Sequence, residues 1–296
     1  MIPTTSTSGT QRRRAGWVLG SPLLLFALLF VAYPVYQGIQ TGFFGLTLQD
    51  PTVPFVGLAN YAKLFASSGF LDASRFTLGF AAVVTVLETV LGLGLALLVN
   101  RAFPGKKLLF TLLLLPIMIA PALLGVMFRL LLNGDIGLVP GLLHGLGLDI
   151  SLFAPDRVVP LLVLLDVLQW TPFTFLVIYA GMQSFPTEVL EAAAIDGAGR
   201  WRTLVSIVVP LLMPVISAAV FLRLIDAIRT FDVIYVLTAG GPGTMTTTLS
   251  IYVYKAAFES GNFGLAAAAS TIVMVVLLPF VPLLVRRVAR TAEDQA

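Results

Sequence analysis

Ionisable and polar side chains occur inside long apolar stretches, where they are costly and usually face a protein interior or a water-filled path. Glu88 lies within one such stretch, and Asp166, Gln169 and Trp170 lie within another. A third group comprises Arg223, Asp226, Phe231, Asp232 and Tyr235. Hydrogen-bonding groups beside an aromatic ring can bind a polar solute that also has an apolar face. The groups around Trp170 and Tyr235 are therefore candidates for a solute pathway.

The same residues also permit a structural interpretation. Arg223, Asp226 and Arg229 recur at three-residue intervals, and residues three apart on a helix can form ion pairs. Trp170 could serve as an anchor at the membrane interface without touching a solute. The sequence leaves both interpretations open.

Motifs for covalent chemistry or metal binding are missing from the sequence. It contains no Cys and a single His, His144, which excludes disulfides, Cys nucleophiles and multi-His metal sites. No GxxxxGK[ST], HExxH or GxSxG pattern occurs, and Gly105-Lys106-Lys107 lacks the upstream glycine of a phosphate-binding loop. We therefore predict no catalytic residue, no metal site and no cofactor bound by this chain.

The composition indicates an integral membrane protein. Of 296 residues, 58% are hydrophobic and 11% charged, and the mean hydropathy is +0.97, whereas a soluble domain is about half apolar and about a quarter charged. A helix needs about 20 apolar residues to span a bilayer. Windows of that length predict six spans, at 17–36, 76–99, 108–132, 158–181, 206–228 and 265–285. The predicted fold class is an all-α polytopic membrane protein with six transmembrane helices.

The basic residues indicate which loops are cytoplasmic. Six spans put both termini on one side, and the first span, which follows Arg12–Arg14, is interpreted as an uncleaved anchor. Most of the 18 Lys and Arg residues fall on that side: Arg12, Arg13, Arg14, Arg101, Lys106, Lys107, Arg200, Arg202, Arg286, Arg287 and Arg290. The positive-inside rule makes that side cytoplasmic. Topology thus explains the net charge of +3 without nucleic-acid binding.

The cytoplasmic segment between the fourth and fifth spans is rich in small residues. Pro186 and Thr187 favour a helix start, and Gly197 and Gly199 break the helical pattern before the next span. We predict a short amphipathic helix, a turn and re-entry into the membrane. The alanines Ala192–Ala194 present a smooth surface that favours a protein partner, and a helix lying in the lipid interface is the alternative.

This segment resembles the EAA loop of ABC-importer permeases. The matching residues are Glu191, Ala192, Ala193, Asp196, Gly197 and Ala198, followed by Ile207 and Pro210 at the expected spacing. Further stretches resemble the carbohydrate branch in its maltose-permease-like, first-subunit form: YPVYQGI (33–39), FVGLANYAKLF (55–65) and FDVIYVLTAGGPGTMTTTL (231–249). The resemblance runs from about Trp17 to Arg290. It departs at Leu204 and Val209, where Phe and Leu are expected, and these apolar exchanges concern only the detail of docking.

The resemblance implies the type I ABC-importer permease fold. Residues 17–290 would form the permease domain, with a coupling loop at about 183–205 and cytoplasmic tails at 1–16 and 291–296. The loop would dock on a separate ATPase subunit that carries ATP and Mg. The implied partners are a second homologous permease, two ATPase copies, an extracytoplasmic solute-binding protein and membrane lipid, in a bacterial or archaeal plasma membrane.

The resemblance also implies roles for two sites that contain proline or glycine. Pro210 and Pro214 would weaken the first turns of the fifth span, so that the loop could tilt the span; prolines that are merely tolerated near a helix start are the alternative. The segment Gly240, Gly241, Pro242 cannot be regular helix. It would lie on the outer side where the solute-binding protein docks, or it is an ordinary turn.

The expected solute is an oligosaccharide, a monosaccharide or a polyol. Glycerol phosphate is the alternative within the same family, because Arg223 and Arg229 could bind a phosphate. An ion-gradient-driven secondary transporter is a further alternative, although the sequence has no internal repeat of the kind that class favours.

Overall fold

The computed structural model describes residues 19–50, 52–100, 103–184, 187–279 and 282. Most of these residues are helical, which confirms the predicted all-α class, and the described part contains an isolated antiparallel bridge between Phe44 and Phe55. The helices are α1 (Leu19–Thr41), α2 (Ala59–Ala66), α3 (Ser68–Val99), α4 (Lys106–Leu114), α5 (Pro121–Leu131), α6 (Leu138–Gly145), α7 (Val158–Gln183), α8 (Thr187–Ile195), α9 (Arg200–Thr203), α10 (Val209–Ile228), α11 (Asp232–Thr238), α12 (Leu249–Tyr254) and α13 (Phe263–Leu277). The predicted tails, Arg101 and Pro186 lie outside the described residues.

Four helical segments in the described part are long and apolar enough to cross a membrane. They are α1, α3, α7 and the run Arg200–Thr238, which contains α9 to α11. The segments Lys106–Met118 and Pro121–Leu131 could form one further, broken span. Helix α13 is apolar but shorter, and most of the chain that would extend it lies outside the described residues. The prediction of six spans therefore stays a prediction.

The predicted third span, 108–132, is not one straight helix. Helix α4 is followed by a 3-10 turn at Pro116–Met118, and α5 starts at Pro121 after a bend of 98°. Ala120 has the extended ψ of 135° that the ring of a following proline favours. Pro121 also has no N–H to continue the hydrogen-bonding ladder of α4. The sequence prediction of a single helix was wrong here, because a hydropathy window does not register prolines.

The chain divides into two compact units: unit 1 comprises residues 1–64 and 256–272, and unit 2 comprises 65–255 and 273–296. Within unit 1, the side-chain amide of Asn60 donates hydrogen bonds to the carbonyl oxygens of Gly42, at 3.0 Å, and Phe44, at 2.9 Å. Asn60 is buried and belongs to the FVGLANYAKLF stretch. Asn60 therefore has a structural role in that stretch, which is to hold the segment after α1 in place.

Helices α3 and α7 form the central pair of unit 2. The hydroxyl of Thr174 on α7 donates to the carbonyl oxygen of Glu88 on α3, at 2.8 Å. A Cβ atom at Gly92 would lie 2.8 Å from the backbone nitrogen of Phe175. The missing side chain at Gly92 is thus what lets the two helix backbones approach.

Hydrogen bonds also join the ends of elements within unit 2. The side-chain amide of Gln183, at the end of α7, donates to the side-chain oxygen of Asn100, just after α3, at 2.9 Å. At the other end of α3, the Thr77 hydroxyl accepts a hydrogen bond from the backbone N–H of Leu249, at 2.8 Å. The chain after α3 and the chain after α7 therefore lie on the same side of unit 2. The start of α12 lies at the opposite end of α3.

Candidate functional site

A buried ion cluster lies where α3, α7 and α10 meet. The guanidinium of Arg223 on α10 binds the carboxylate of Glu88 on α3 through two nitrogens, with Nε 2.6 Å from Oε2 and Nη2 3.0 Å from Oε1. Nη2 also contacts Oδ2 of Asp166 on α7. Nη1 is 2.9 Å from Oδ2 of Asp226, which is one turn further along α10. Arg223 therefore links three helices of unit 2.

Burial differs sharply among the members of this cluster. Arg223 is 1% exposed, Glu88 0% and Asp166 6%, whereas the side chain of Asp226 is 52% exposed. Asp226 thus forms the open edge of the cluster, and the other two carboxylates lie inside the protein. Because isolated ions are strongly disfavoured away from water, the arginine and the buried carboxylates depend on one another.

Trp170 covers the cluster from α7. The centre of the Arg223 guanidinium lies 4.9 Å from the centroid of the indole ring, within the range of a cation–π interaction. Trp170 is only partly buried, so one of its faces binds the cation and part of the ring remains accessible. The tryptophan is more than an interfacial anchor in this arrangement.

Several buried polar atoms around the cluster have no hydrogen-bonding partner in the described part of the chain. They are Oγ1 of Thr85, Oε1 of Gln169 and Oγ1 of Thr171. Thr85 lies one turn before Glu88 on α3, and Gln169 lies one turn after Asp166 on α7. Buried polar atoms are normally paired with protein or water, so this layer between α3 and α7 has unused capacity for hydrogen bonding.

The aromatic candidates form another group. Phe231 stacks on Tyr235, with ring centroids 4.9 Å apart, and Tyr254 lies 5.3 Å from Phe231 and 5.0 Å from Tyr235. All three rings are partly buried, and Asp232, at the start of α11, is exposed. The sequence did not single out Tyr254, because it lies on α12 and only packing brings it to the other two rings.

The turn after α11 is held by threonines. Ala239 and Gly240 have φ values of 51° and 88°, in the left-handed region. The hydroxyl of Thr246 donates to the carbonyl oxygen of Gly241, at 2.7 Å, and the hydroxyl of Thr247 donates to that of Gly240, at 3.1 Å. The segment Gly240, Gly241, Pro242 is therefore a closed turn, consistent with the prediction that it is not helical.

The segment between α7 and α10 has the predicted order of a short helix, a turn and a further helix. Helix α8 ends in a Schellman motif, in which the N–H of Ala198 donates to the carbonyl oxygen of Ala193, at 3.0 Å. Gly197 occupies the left-handed position of this motif, with φ of 70°. Ala193 is buried, whereas Glu191, Ala192, Asp196 and Gly197 are exposed and Ala198 is partly buried. The exposed residues form a surface that the described part of the chain leaves uncovered.

The chain between α9 and α10 includes an irregular turn. A π-helical stretch, Leu204–Val208, connects α9 to α10, and Pro210 is at the first turn of α10. Pro210 has no N–H for the carbonyl of the preceding turn, and a π-turn is one way for a helix to absorb that loss. Pro214 lies inside α10. The joint between the cytoplasmic segment and α10 thus has fewer regular backbone hydrogen bonds than an uninterrupted helix.

Comparisons with known proteins identify relatives over most of this chain. The profile of the family described as "Binding-protein-dependent transport system inner membrane component" matches residues 88–293. The chain is 35% identical to the trehalose/maltose transport system permease protein MalF of Thermococcus litoralis, over 93% of this chain and 94% of the relative. It is 34% identical to the sn-glycerol-3-phosphate transport system permease protein UgpA of Escherichia coli, over 88% and 90%. It is also 32% identical to the sulfoquinovosyl glycerol transport system permease protein SmoG of Agrobacterium fabrum, over 93% and 90%.

Solved structures show the same fold. A chain of a bacterial alginate ABC transporter, in complex with an alginate-bound periplasmic protein, superposes with a TM-score of 0.79 at 24% identity, over 93% of each chain. A chain of the MetNI methionine ABC transporter superposes with a TM-score of 0.53 at 17% identity, over 74% of this chain and 94% of that one. From the family match, the relatives and the fold, this chain belongs to the binding-protein-dependent transport inner membrane components and is a permease of an ABC importer.

Proposed function

We propose that this permease imports a neutral, polyhydroxylated solute, either a sugar or a polyol, and forms half of the translocation pathway. The other half would be a second homologous permease. ATP hydrolysis would occur on two copies of a separate ATPase subunit, with Mg bound there, and an extracytoplasmic binding protein would deliver the solute. The relatives named above transport trehalose and maltose, glycerol phosphate, or sulfoquinovosyl glycerol, according to their names.

The charge balance of the ion cluster supports a neutral solute. Among the described residues, Arg223 is the one basic residue in the ion pairs of the cluster, and three carboxylates already bind it. No positive charge remains there for a phosphate, and the surplus of acidic groups would repel one. A glycerol phosphate would need another cation, for which the exposed Arg229 is the remaining candidate among those considered above. The charge balance of the ion cluster is the observation that supports the choice of a neutral solute.

The solute contacts proposed here use the accessible members of the candidate set. Trp170 and Asp226 are both partly accessible and both held by Arg223. An aromatic face beside a carboxylate fits a sugar. The aromatic ring stacks on the C–H groups of the sugar, and the carboxylate accepts hydrogen bonds from the sugar hydroxyls. Asp166, Gln169 and Arg223 would position this pair. Phe231, Asp232 and Tyr235 would form a further part of the pathway.

The coupling surface proposed here is α8 with its following turn. Glu191, Ala192, Ala193, Asp196, Gly197 and Ala198 would engage the ATPase, and the turn Gly240, Gly241, Pro242 would face the binding protein. This assignment puts α8 and both termini in the cytoplasm of a bacterial or archaeal cell. It is supported by the family membership and by the exposed surface of α8.

The test is ATPase activity of the assembled importer in liposomes, with its binding protein, against neutral sugars, polyols and glycerol phosphate. We expect stimulation by one neutral solute, and a large loss of that stimulation in Trp170→Ala with assembly unchanged. The control is Phe30→Ala, an aromatic residue on α1 that is 67% exposed and belongs to neither the proposed solute contacts nor the proposed coupling loop. Stimulation by glycerol phosphate instead would overturn the neutral-solute proposal. Failure of any ATPase to co-purify would overturn the importer assembly itself.

A further inference from the structure

The buried part of the ion cluster has one negative charge too many. Arg223, Glu88 and Asp166 are almost completely buried, and together they carry one formal positive and two formal negative charges. Asp226 adds a third carboxylate, but its half-exposed side chain is stabilised by solvent. An uncompensated ion inside a protein is strongly disfavoured, and such groups usually neutralise instead. The surplus charge therefore needs a counter-ion or a proton.

The two buried carboxyl groups are also close to each other. Both carboxyl groups accept from the same nitrogen, Nη2 of Arg223, and so lie side by side at one donor. Two ionised carboxylates at one donor repel each other, whereas a protonated carboxyl carries no charge and can itself donate a hydrogen bond. The geometry thus fits one protonated and one ionised carboxyl.

The surroundings contain no other counter-charge in the part of the chain that the structure describes. The charged groups that face the pair are Arg223 and Asp226, both from α10. Helices α3 and α7 contribute neutral polar groups beside it, namely Thr85, Gln169, Thr171 and Thr174. No cluster of His, Cys, Asp and Glu suited to a metal ion is found among the described residues. A shared proton would remove the surplus negative charge without any further group.

We propose that Glu88 and Asp166 share one proton, which this permease binds at the junction of α3, α7 and α10 in its folded state. The proton leaves Arg223 paired with a single net negative charge inside the protein.

Infrared spectroscopy of the intact transporter complex tests the shared proton directly, because a protonated carboxyl absorbs apart from a carboxylate. We compare the wild type with Glu88→Gln and Asp166→Asn near neutral pH. Either substitution leaves one buried carboxylate for Arg223, so that no proton is needed. The matched control is Asp72→Asn, which removes an exposed carboxylate paired with Arg75.

The expected result is a protonated-carboxyl band in the difference between the wild type and each cluster variant, and none in the difference with Asp72→Asn. A difference spectrum without that band for both Glu88→Gln and Asp166→Asn overturns the proposal. This readout does not depend on the identity of the solute, so a failure here is distinct from a failure of the proposed function.

Discussion

The guanidinium of Arg223 uses its planar shape as well as its charge. Nη2 donates a hydrogen bond to the Glu88 carboxylate, Nη1 donates to Asp226, and Nε makes a close ionic contact with Glu88. A lysine ammonium could balance the same charge but could not present several donors in one plane. The indole of Trp170 lies against this plane. The position therefore depends on the shape of the arginine side chain.

Arg223→Gln should be strongly destabilising. Removal of one partner from a buried ion pair leaves an uncompensated charge, which costs about 3 to 5 kcal/mol. The control, Arg75→Gln, breaks an ion pair whose side chains are 78% and 56% exposed, and such pairs contribute little. Thermal unfolding of the detergent-solubilised complex measures both variants. Similar melting curves for the two would mean that the buried cluster does not stabilise the fold.

The members of this cluster show how far sequence reasoning reaches at the scale of a residue. The pairing of Arg223 with Asp226 follows from their spacing of three, and the structure contains it. Asp166 and Glu88 lie 57 and 135 residues from Arg223 in sequence. Their polarity within apolar runs singled them out, but their meeting depends on how three helices pack. Glu88 was accordingly not among the predicted site residues.

At the scale of an element, the contact between α3 and α7 depends on one small residue. Gly92→Ala should push the two helices apart, because the added Cβ atom would lie 2.8 Å from the Phe175 nitrogen. Overpacking of this kind typically costs about 1 to 3 kcal/mol. Gly94→Ala is the control, since nothing lies within 4 Å of its added Cβ atom and alanine favours a helix more than glycine does. We expect a lower unfolding temperature for Gly92→Ala than for Gly94→Ala. The reverse order would exclude the close approach at Gly92.

The turn after α8 offers a second matched pair of glycines. Gly197 has φ of 70°, whereas Gly199 has φ of −65° in an extended conformation. Alanine at position 197 would be strained by about 1 to 2 kcal/mol, and at position 199 it would fit. Because this turn fixes the direction of α8, Gly197→Ala should reduce solute transport per ATP hydrolysed. Gly199→Ala should leave that ratio near the wild-type value.

Liposomes loaded with ATP measure both quantities in the same preparation. If Gly197→Ala keeps the wild-type ratio of transport to hydrolysis, the direction of α8 does not matter for coupling. A loss in both variants alike would point to the length of the turn and not to its left-handed residue. The two glycines are distinguishable from sequence only through the resemblance to the EAA loop, because both simply break the helical pattern.

Element types were easier to predict than element shapes. Long apolar runs specify helices on their own, and the predicted helix, turn and re-entry of the cytoplasmic segment correspond to α8, the Schellman turn and the run from α9 to α10. The bend between α4 and α5 was not predicted, although the sequence shows Pro116 and Pro121 at that place. Proline in a membrane span can kink, break or leave a helix nearly straight, and neighbouring helices decide which. That decision is tertiary information.

At the scale of the whole molecule, the basic loop after α3 and the proposed coupling surface lie on the same side of unit 2. The hydrogen bond between Gln183 and Asn100 puts the end of α3 and the end of α7 on one side. Lys107 and α8 follow these two ends, so the positive-inside rule assigns both to the cytoplasm. The bond between Thr77 and Leu249 puts the turn that precedes α12 on the other side. The orientation of the termini stays a prediction, because they lie outside the described residues.

Cysteine labelling can test this orientation without a modified background, since the chain has no cysteine. We expect a membrane-impermeant maleimide to label Asp156→Cys and Thr244→Cys from the outside of spheroplasts. Lys107→Cys and Ile195→Cys should react only after permeabilisation. All four positions are exposed in the chain, so that reactivity reports the side of the membrane and not burial.

The four positions separate orientation from masking by partners. A bound ATPase would cover Ile195 on the proposed coupling surface, whereas Lys107 lies in a different loop and reports the same side independently. A docked binding protein could likewise cover Thr244 but would leave Asp156 as the second outer reporter. Labelling of Lys107→Cys from outside would mean that unit 2 has the opposite orientation. Helix α8 would then be out of reach of any cytoplasmic ATPase. Because the positive charges and the coupling surface share one side, a single inverted result would overturn both the topology and the proposed coupling.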